Sequence, residues 1–314
     1  MRICVIGAGG VGSVFGGLAA HAGEEVSFLA RGPSLEALRA RGLRVHGPFG
    51  VRESRPFASG SAAEIAARGP VDAVLVAVKA WQVREVAPSL GPLVGAGTVV
   101  VPLQNGVEAA EHLAAALGEG PVAGGLCHVF AWTEEPGVAR TTGKPLRITV
   151  GERAGGSSPR LERLAAALRR GGIEVVVAED IAAALWEKFL FIDPFGSVGA
   201  VTRSPVGAFR SLPESRALLV EAIEEVAALA RARGARIHPE AVARTLAFLD
   251  GLPAEATASM QRDVAAGRPS EVEDQTGAVV RLAAPSQVPT PAHRFLYAAL
   301  LPQERAARGS GAVR

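Results

Sequence analysis

The chain uses arginine almost everywhere that it carries a long cation. Only Lys79, Lys144 and Lys188 are lysines, and Asn105 is the only asparagine. Survivors of so strong a bias are the first candidates for chemistry, chance survival being the alternative. Lys188 sits in residues 181–192, a very apolar stretch with Ala184 and Ile192 one helical turn to either side. An ammonium on such a face either snorkels to solvent or is held against a ligand. Partial loss of water would bring its pKa down toward neutrality, which is how a lysine becomes a usable general acid. Asn105 lies in Gln104-Asn105-Gly106. Its amide can donate and accept at once, which suits bridging a substrate to a catalytic group; a plain Asn-Gly turn is the alternative. Lys79 follows the apolar run 71–78, and ligands of open parallel sheets bind beyond such strand ends. A solvated strand-end lysine is the alternative there. Ser259 and Glu271, taken alone, read as a helix cap and a first-turn charge.

The elements that must position these groups begin at residue 3. Ile3 to Ile6 is a short apolar strand running into Gly7-x-Gly9-x-x-Gly12, with a helix expected over 14–22. In that setting the glycine spacing means dinucleotide binding. Gly7 takes the tight turn, Gly9 lets a pyrophosphate reach the backbone, and Gly12 lets the helix lie close to the strand. Residues Gly7, Gly9, Gly10, Val11 and Gly12 then offer the helix N-terminus to the phosphates. A second strand, 25–30, ends at Arg31, where an acidic residue would select NAD. A guanidinium suits a 2′-phosphate by charge and by bidentate geometry, so NADP(H) is expected; an ordinary surface arginine is the alternative.

Further along, the pattern predicts a helix over 35–41 capped by Ser34, a hairpin over 43–55, and helices over 61–68, 81–94 and 107–117. Strands are expected over 71–78, 98–102, 121–140, 146–151 and 173–178, with Ala-Gly-Gly and Glu-Pro-Gly turns, and a helix over 158–170. From Ile181 onward the periodicity is helical only, over 212–233, 239–249, 258–266, 271–283 and 291–301. Pro213, Pro239 and Pro291 are placed as first-turn prolines. The expected fold class is α/β: a Rossmann-type dinucleotide-binding domain over 1–180, then an all-helical substrate domain over 181–303. A frayed tail is expected over 304–314.

Composition narrows the function. With 314 residues, 48% hydrophobic and 20% charged, the chain is globular and long enough for two cores. A net charge of +2 from scattered basic residues argues against nucleic acid. No apolar run reaches bilayer length, so no membrane partner is expected. Arg2 leads directly into the first strand, so no signal peptide is expected. Cys4 and Cys127 read as free buried thiols of a cytoplasmic protein, and no His/Cys cluster has metal-ligand spacing. An apolar face on the helical domain leaves a homodimer open, since periodicity alone cannot separate such a face from the core.

Taken together, Gly7-x-Gly9-x-x-Gly12, Arg31, Val-Lys79, Gln-Asn105-Gly106, Trp-Glu-Lys188, Ser259-Met-x-x-Asp263 and Glu271 resemble the ketopantoate reductase (2-dehydropantoate 2-reductase) family, in the family's order and over nearly the whole chain. The resemblance implies an NADPH-dependent reduction of a 2-oxo acid, 2-dehydropantoate to pantoate in pantothenate and coenzyme A biosynthesis, in a cleft between two domains. It implies Lys188 as general acid and Asn105 as the group orienting substrate and lysine. Lys79 would line the cofactor side, and Ser259 and Glu271 would contact substrate. Family members usually carry asparagine four and eight residues after the lysine; here those positions are Ile192 and Gly196. The departure opens two further readings: a reductase of a more apolar 2-oxo acid, and an NADPH-binding regulator without catalysis.

Overall fold

A computed structural model of the chain describes residues 1–309. It divides into two compact units, Met1–Gln104 with Ala109–Ile181, and Asn105–Glu108 with the chain from Ala182 onward. The sequence placed residues 105–108 in the first domain; the fold assigns these four residues to the helical one.

In the first unit the order is β1 (Arg2–Ile6), α1 (Gly10–His21), β2 (Glu25–Leu29), α2 (Gly32–Arg41), β3 (Leu43–Gly47), β4 (Gly50–Ser54), β5 (Phe57–Ser59), α3 (Ala62–Ala66) and β6 (Ala73–Val76). Then come α4 (Val83–Val86), β7 (Val99–Pro102), α5 (Ala109–Leu117), β8 (Gly124–Glu135), β9 (Val138–Gly151), α6 (Pro159–Arg170) and β10 (Glu174–Val177). Strands β5-β2-β1-β6-β7 form a parallel sheet. Alternate residues of β1 enter opposite cores, Ile3 and Val5 on one face and Cys4 and Ile6 on the other. That two-sided burial is why these strands read as continuous apolar runs. A second sheet runs β10-β9-β3-β4, with β8 antiparallel to β9. Helix α1 packs against both sheets. A Cβ on Gly16 would lie 2.6 Å from the Phe28 ring of the first sheet, and one on Gly17 would lie 2.6 Å from Val45 of the second.

Three local expectations are corrected here. The helix expected over 81–94 is broken into 3-10 turns at Ala80–Gln82 and Ala87–Leu93 around the single turn of α4. Pro88 and Pro92 lack the N–H groups that a continuous α-helix needs. Ala123-Gly124-Gly125 is not a turn: Gly124 and Gly125 pair with Gly151 and Val150 inside the sheet. A Cβ on Gly125 would come 2.4 Å from Val101, so the glycine admits a close neighbour. Ser34 does not cap α2, because the helix starts earlier and Arg31 is its N-cap residue.

The second unit comprises α7 (Ile181–Thr202), which starts at the boundary, then α8 (Val206–Ser211), α9 (Pro213–Ala232), α10 (Ala241–Asp250), α11 (Ser259–Ala265), α12 (Thr276–Ala283) and α13 (Pro291–Ala307). Helix α9 is central and buries Leu219, Ile223, Val226 and Ala230 in the core. Pro213 and Pro291 stand in first turns as expected, whereas Pro239 precedes α10 and its N-cap, Glu240. The frayed tail is also corrected. Residues 304–307 continue α13, and buried Glu304 accepts hydrogen bonds from the Ser270 backbone and hydroxyl. Residues 310–314 of that expected tail lie outside the described residues. Among the described residues no helix is long and apolar enough to cross a membrane.

Candidate active site

Two sets of residues carry the candidate chemistry, one in each unit. In the first, the turn from β1 into α1 has the sterics its glycines require. Gly7 has φ +97°, and a Cβ there would meet Val78 Cγ1 at 2.9 Å. A Cβ on Gly12 would lie 2.1 Å from the Gly7 carbonyl oxygen, so helix and strand could not approach as they do. Gly10 is equally constrained, by the Trp132 backbone of β8 at 2.7 Å. Gly9, the N-cap of α1, differs: a Cβ there would have nothing within 4 Å. The turn is therefore packed on three sides and open at Gly9. There the first-turn N–H groups, Gly10, Val11 and Gly12 among them, and the positive end of the helix dipole fit an anionic pyrophosphate.

Arg31 stands at the carboxyl end of β2, with its side chain 76% exposed and Nη1 3.5 Å from Glu85 Oε1. No acidic residue takes its place at the strand end, which fits a phosphorylated ribose better than a free 2′-hydroxyl. Lys79 follows Val78, the residue packed on Gly7, and its Nζ lies 5.8 Å from the Trp81 ring centroid. Gln104 ties this end of the sheet together, its amide donating to the Val76 and Val78 carbonyls at 2.8 and 2.9 Å.

In the second unit, Lys188 Nζ donates to Asn105 Oδ1 at 2.8 Å, and Asn105 Nδ2 points to Glu271 Oε2 at 3.4 Å. The asparagine thus accepts from a cation and donates toward an anion. The same Glu271 oxygen accepts from Gln275 Nε2 at 2.9 Å, and Glu271 is 5% exposed. Gly106 has φ +105°, and the chain bends at Asn105-Gly106 beside this polar bridge. Glu108 closes the segment with an ion pair to Arg281 at 2.6 Å. Asp274 beside this cluster has its pKa raised to about 6, by burial first and the Glu271 charge second. Ser259 opens α11, and its neighbour Met260 packs on Gly196 of α7, 2.9 Å from where a Cβ would stand. Asp263 pairs with Arg268 at 2.8 Å.

Gln275 was not singled out in the sequence, nor was a buried network behind the amine. Asp193, Glu225, Thr276 and His293 are all buried, and they hydrogen-bond in a chain. A histidine and two acids scattered over a hundred residues carry no spacing signal. Only an aspartate placed in so apolar a helix hinted at a partner.

A glycine turn on a parallel sheet, followed by a helical unit that presents an amine bridged to a carboxylate, has the makings of a nicotinamide-dependent oxidoreductase. Comparison with known proteins agrees. The family described as ketopantoate reductase PanE/ApbA matches residues 3–155, and its C-terminal counterpart matches residues 180–304. A 2-dehydropantoate 2-reductase of Halobacterium salinarum is 32% identical over 298 residues, 94% of this chain and 96% of that one. The crystal structure of 2-dehydropantoate 2-reductase from Geobacter metallireducens is 31% identical, with a TM-score of 0.87 over 96% of this chain and 99% of the other. A D-mandelate dehydrogenase solved with NADH and anilino(oxo)acetate, 19% identical, shares the fold, with a TM-score of 0.88 over 98% of this chain and 99% of that one. The chain belongs to the ketopantoate reductase family and is an oxidoreductase.

Proposed function

We propose that this chain reduces 2-dehydropantoate, a 2-oxo acid, to the 2-hydroxy acid with NADPH. The observation that carries the reading is the 2.8 Å hydrogen bond from Lys188 Nζ to the amide oxygen of Asn105. An amide oxygen is too weak a base to take the amine's proton, so it can hold the amine in a fixed direction and leave it a proton to give. A bound reduced nicotinamide supplies the hydride. Gly9, Gly10, Val11 and Gly12 hold its pyrophosphate by backbone N–H groups, Gly7 makes the tight turn with its own N–H given to the Leu29 carbonyl at 2.9 Å, and Arg31 holds the 2′-phosphate. Lys79 and Asn105 line the cofactor. Lys188 stabilises the negative charge that grows on the substrate's carbonyl oxygen and gives that oxygen its proton. Asn105 aims the amine at that oxygen. Ser259 and Glu271 bind the substrate from the helical unit. Replacing Lys188 with Ala should lower kcat by roughly a hundredfold to ten-thousandfold, read as NADPH oxidation with 2-dehydropantoate. Near wild-type turnover in that variant would remove the lysine from the mechanism.

A second substrate reading is supported by the helix face next to the amine. One turn beyond Lys188 stands Ile192, half-buried against the helical core, and two turns beyond stands Gly196, already packed by Met260. Neither offers a hydrogen bond to a substrate hydroxyl, which would favour a 2-oxo acid with an apolar side chain. Turnover of 2-dehydropantoate against a 2-oxo acid of the same branching without the hydroxyl separates the two.

A further inference from the structure

The buried chain Thr276–Asp193–His293–Glu225 joins four helices of the second unit. Asp193 on α7 accepts from Thr276 Oγ1 with one carboxylate oxygen at 2.8 Å, and its other oxygen lies 2.8 Å from His293 Nε2. His293 Nδ1 lies 2.5 Å from Glu225 Oε2 on α9. Glu225 also accepts the backbone N–H groups of Ala292 and His293 at 2.7 and 3.0 Å, which seats the first turn of α13. Asp193, Thr276 and His293 have no exposed surface, and Glu225 is 6% exposed. Buried ionic groups of this kind are rarely the cheapest way to stabilise a core, so their positions in the fold matter more than their number.

Asp193 stands five residues after Lys188 on the same helix, about 7.5 Å along its axis. The next residue, Pro194, lies inside α7 and has no N–H to give the Leu190 carbonyl. The helix that carries the amine thus lacks a backbone bond one turn after it, and a side-chain anchor sits at that gap. The other partner of Asp193 is as well placed. Thr276 directly follows Gln275, whose amide donates to Glu271, and the Gln275 N–H closes back on the Glu271 carbonyl at 2.8 Å. Asp193 is therefore where the lysine-bearing helix and the glutamate-bearing turn are fastened together.

We propose that Asp193 and Thr276, backed by His293 and Glu225, are positioning residues that set the spacing between Lys188 and the Asn105–Glu271 pair; the inference rests on the catalytic reading of Lys188 given above. Misplacing a reacting group by an ångström can cost about a hundredfold in rate, so a small slip of α7 against the 271–276 turn reaches the chemistry. The hydroxyl of Thr276 is the part of the link that can be removed by itself, since its loss leaves the imidazole and both carboxylates in place.

Thr276→Val keeps the shape of the side chain and removes the donor; Thr276→Ser keeps the donor. In the full chain, T276V should lose tenfold or more in kcat with the KM for NADPH within twofold of wild type, and T276S should recover to within threefold. A T276V enzyme within twofold of wild-type kcat, or a T276S enzyme as impaired as T276V, would overturn the proposal. Thr276→Ala takes the place of T276V if the valine variant does not fold. If the wild-type chain turns over no 2-oxo acid at all, the catalytic reading fails on its own. The brace is then read from the reactivity of Lys188 toward trinitrobenzenesulfonate, followed by peptide mass spectrometry. With only three lysines the signal is clean. T276V should raise Lys188 labelling at least threefold with Lys144 unchanged, and equal labelling of Lys188 in both proteins would overturn the proposal.

Discussion

Arg31 and Asp274 carry the sharpest expectations for single residues. Arg31 is largely exposed, and its contact with Glu85 at 3.5 Å is a surface pair of little worth. On the proposed reading its value to the chain is what it binds. Arg31→Ala should cost NADPH about 1.5–3 kcal/mol, roughly tenfold to a hundredfold in Kd, and spare NADH. Equal losses for both, measured by fluorescence titration, would leave the 2′-phosphate without its partner. Asp274 is the reverse case, a carboxyl made less acidic by burial and by Glu271, to about 6. Its folded pKa lies above its unfolded one, so its contribution to stability is present below about pH 4 and lost as pH rises through about 6. Asp274→Asn should then raise the Tm at pH 8 by a few degrees and lose that advantage toward pH 4. A lower Tm at pH 8 would mean that the charge is compensated in the folded chain.

At the scale of elements, α7 is the unusual one. It is apolar enough to read as core, yet it carries Lys188 on one face and Asp193 on another, with Pro194 between its halves. The imidazole that holds Asp193 is opposed by burial, but the hydrogen bonds and charges of Asp193 and Glu225 outweigh it. Together they lift the His293 pKa from 6.5 to about 9. For a group raised above its unfolded value, the stabilisation is complete below about pH 6.5 and disappears as pH rises through about 9. Calorimetry should show Tm falling between pH 7.5 and 9.5 in the wild type. His293→Gln should start lower and stay flatter over that window. A parallel fall in both proteins would assign the pH dependence to other groups.

For the whole molecule, two compact units, each with its own buried apolar side chains, and two interior thiols set the behaviour. Cys4 lies between the sheet and its helices with its thiol pKa pushed up to about 12 by burial, and Cys127 is also buried, in no disulfide, its thiol donating to the Leu103 carbonyl at 3.4 Å. A thiol without thiolate character does not exchange. The native protein should give no rapid reaction with Ellman's reagent, and concentrated guanidinium should release both thiols. Rapid reaction of either in the native state would mean that its sheet opens locally.

Much of this protein was legible in one dimension. The glycine spacing after an apolar strand, the missing acid at Arg31 and the switch to helical periodicity at Ile181 are local patterns. Turn sterics, strand burial and helix period write them directly into neighbouring residues. The rarity of lysine and asparagine pointed to Lys79, Lys188 and Asn105 for the same reason: composition is readable without a fold. What periodicity could not reach were contacts between residues far apart in the chain. Asn105 meets Lys188 across 83 positions and Glu271 across 166. The four-residue excursion 105–108 joins the helical unit by packing, and Pro88 and Pro92 break a helix that its apolar pattern had promised. The Asp193–His293–Glu225 network appears only when three helices are packed, because a buried charge finds its partner in space and leaves no period in the sequence.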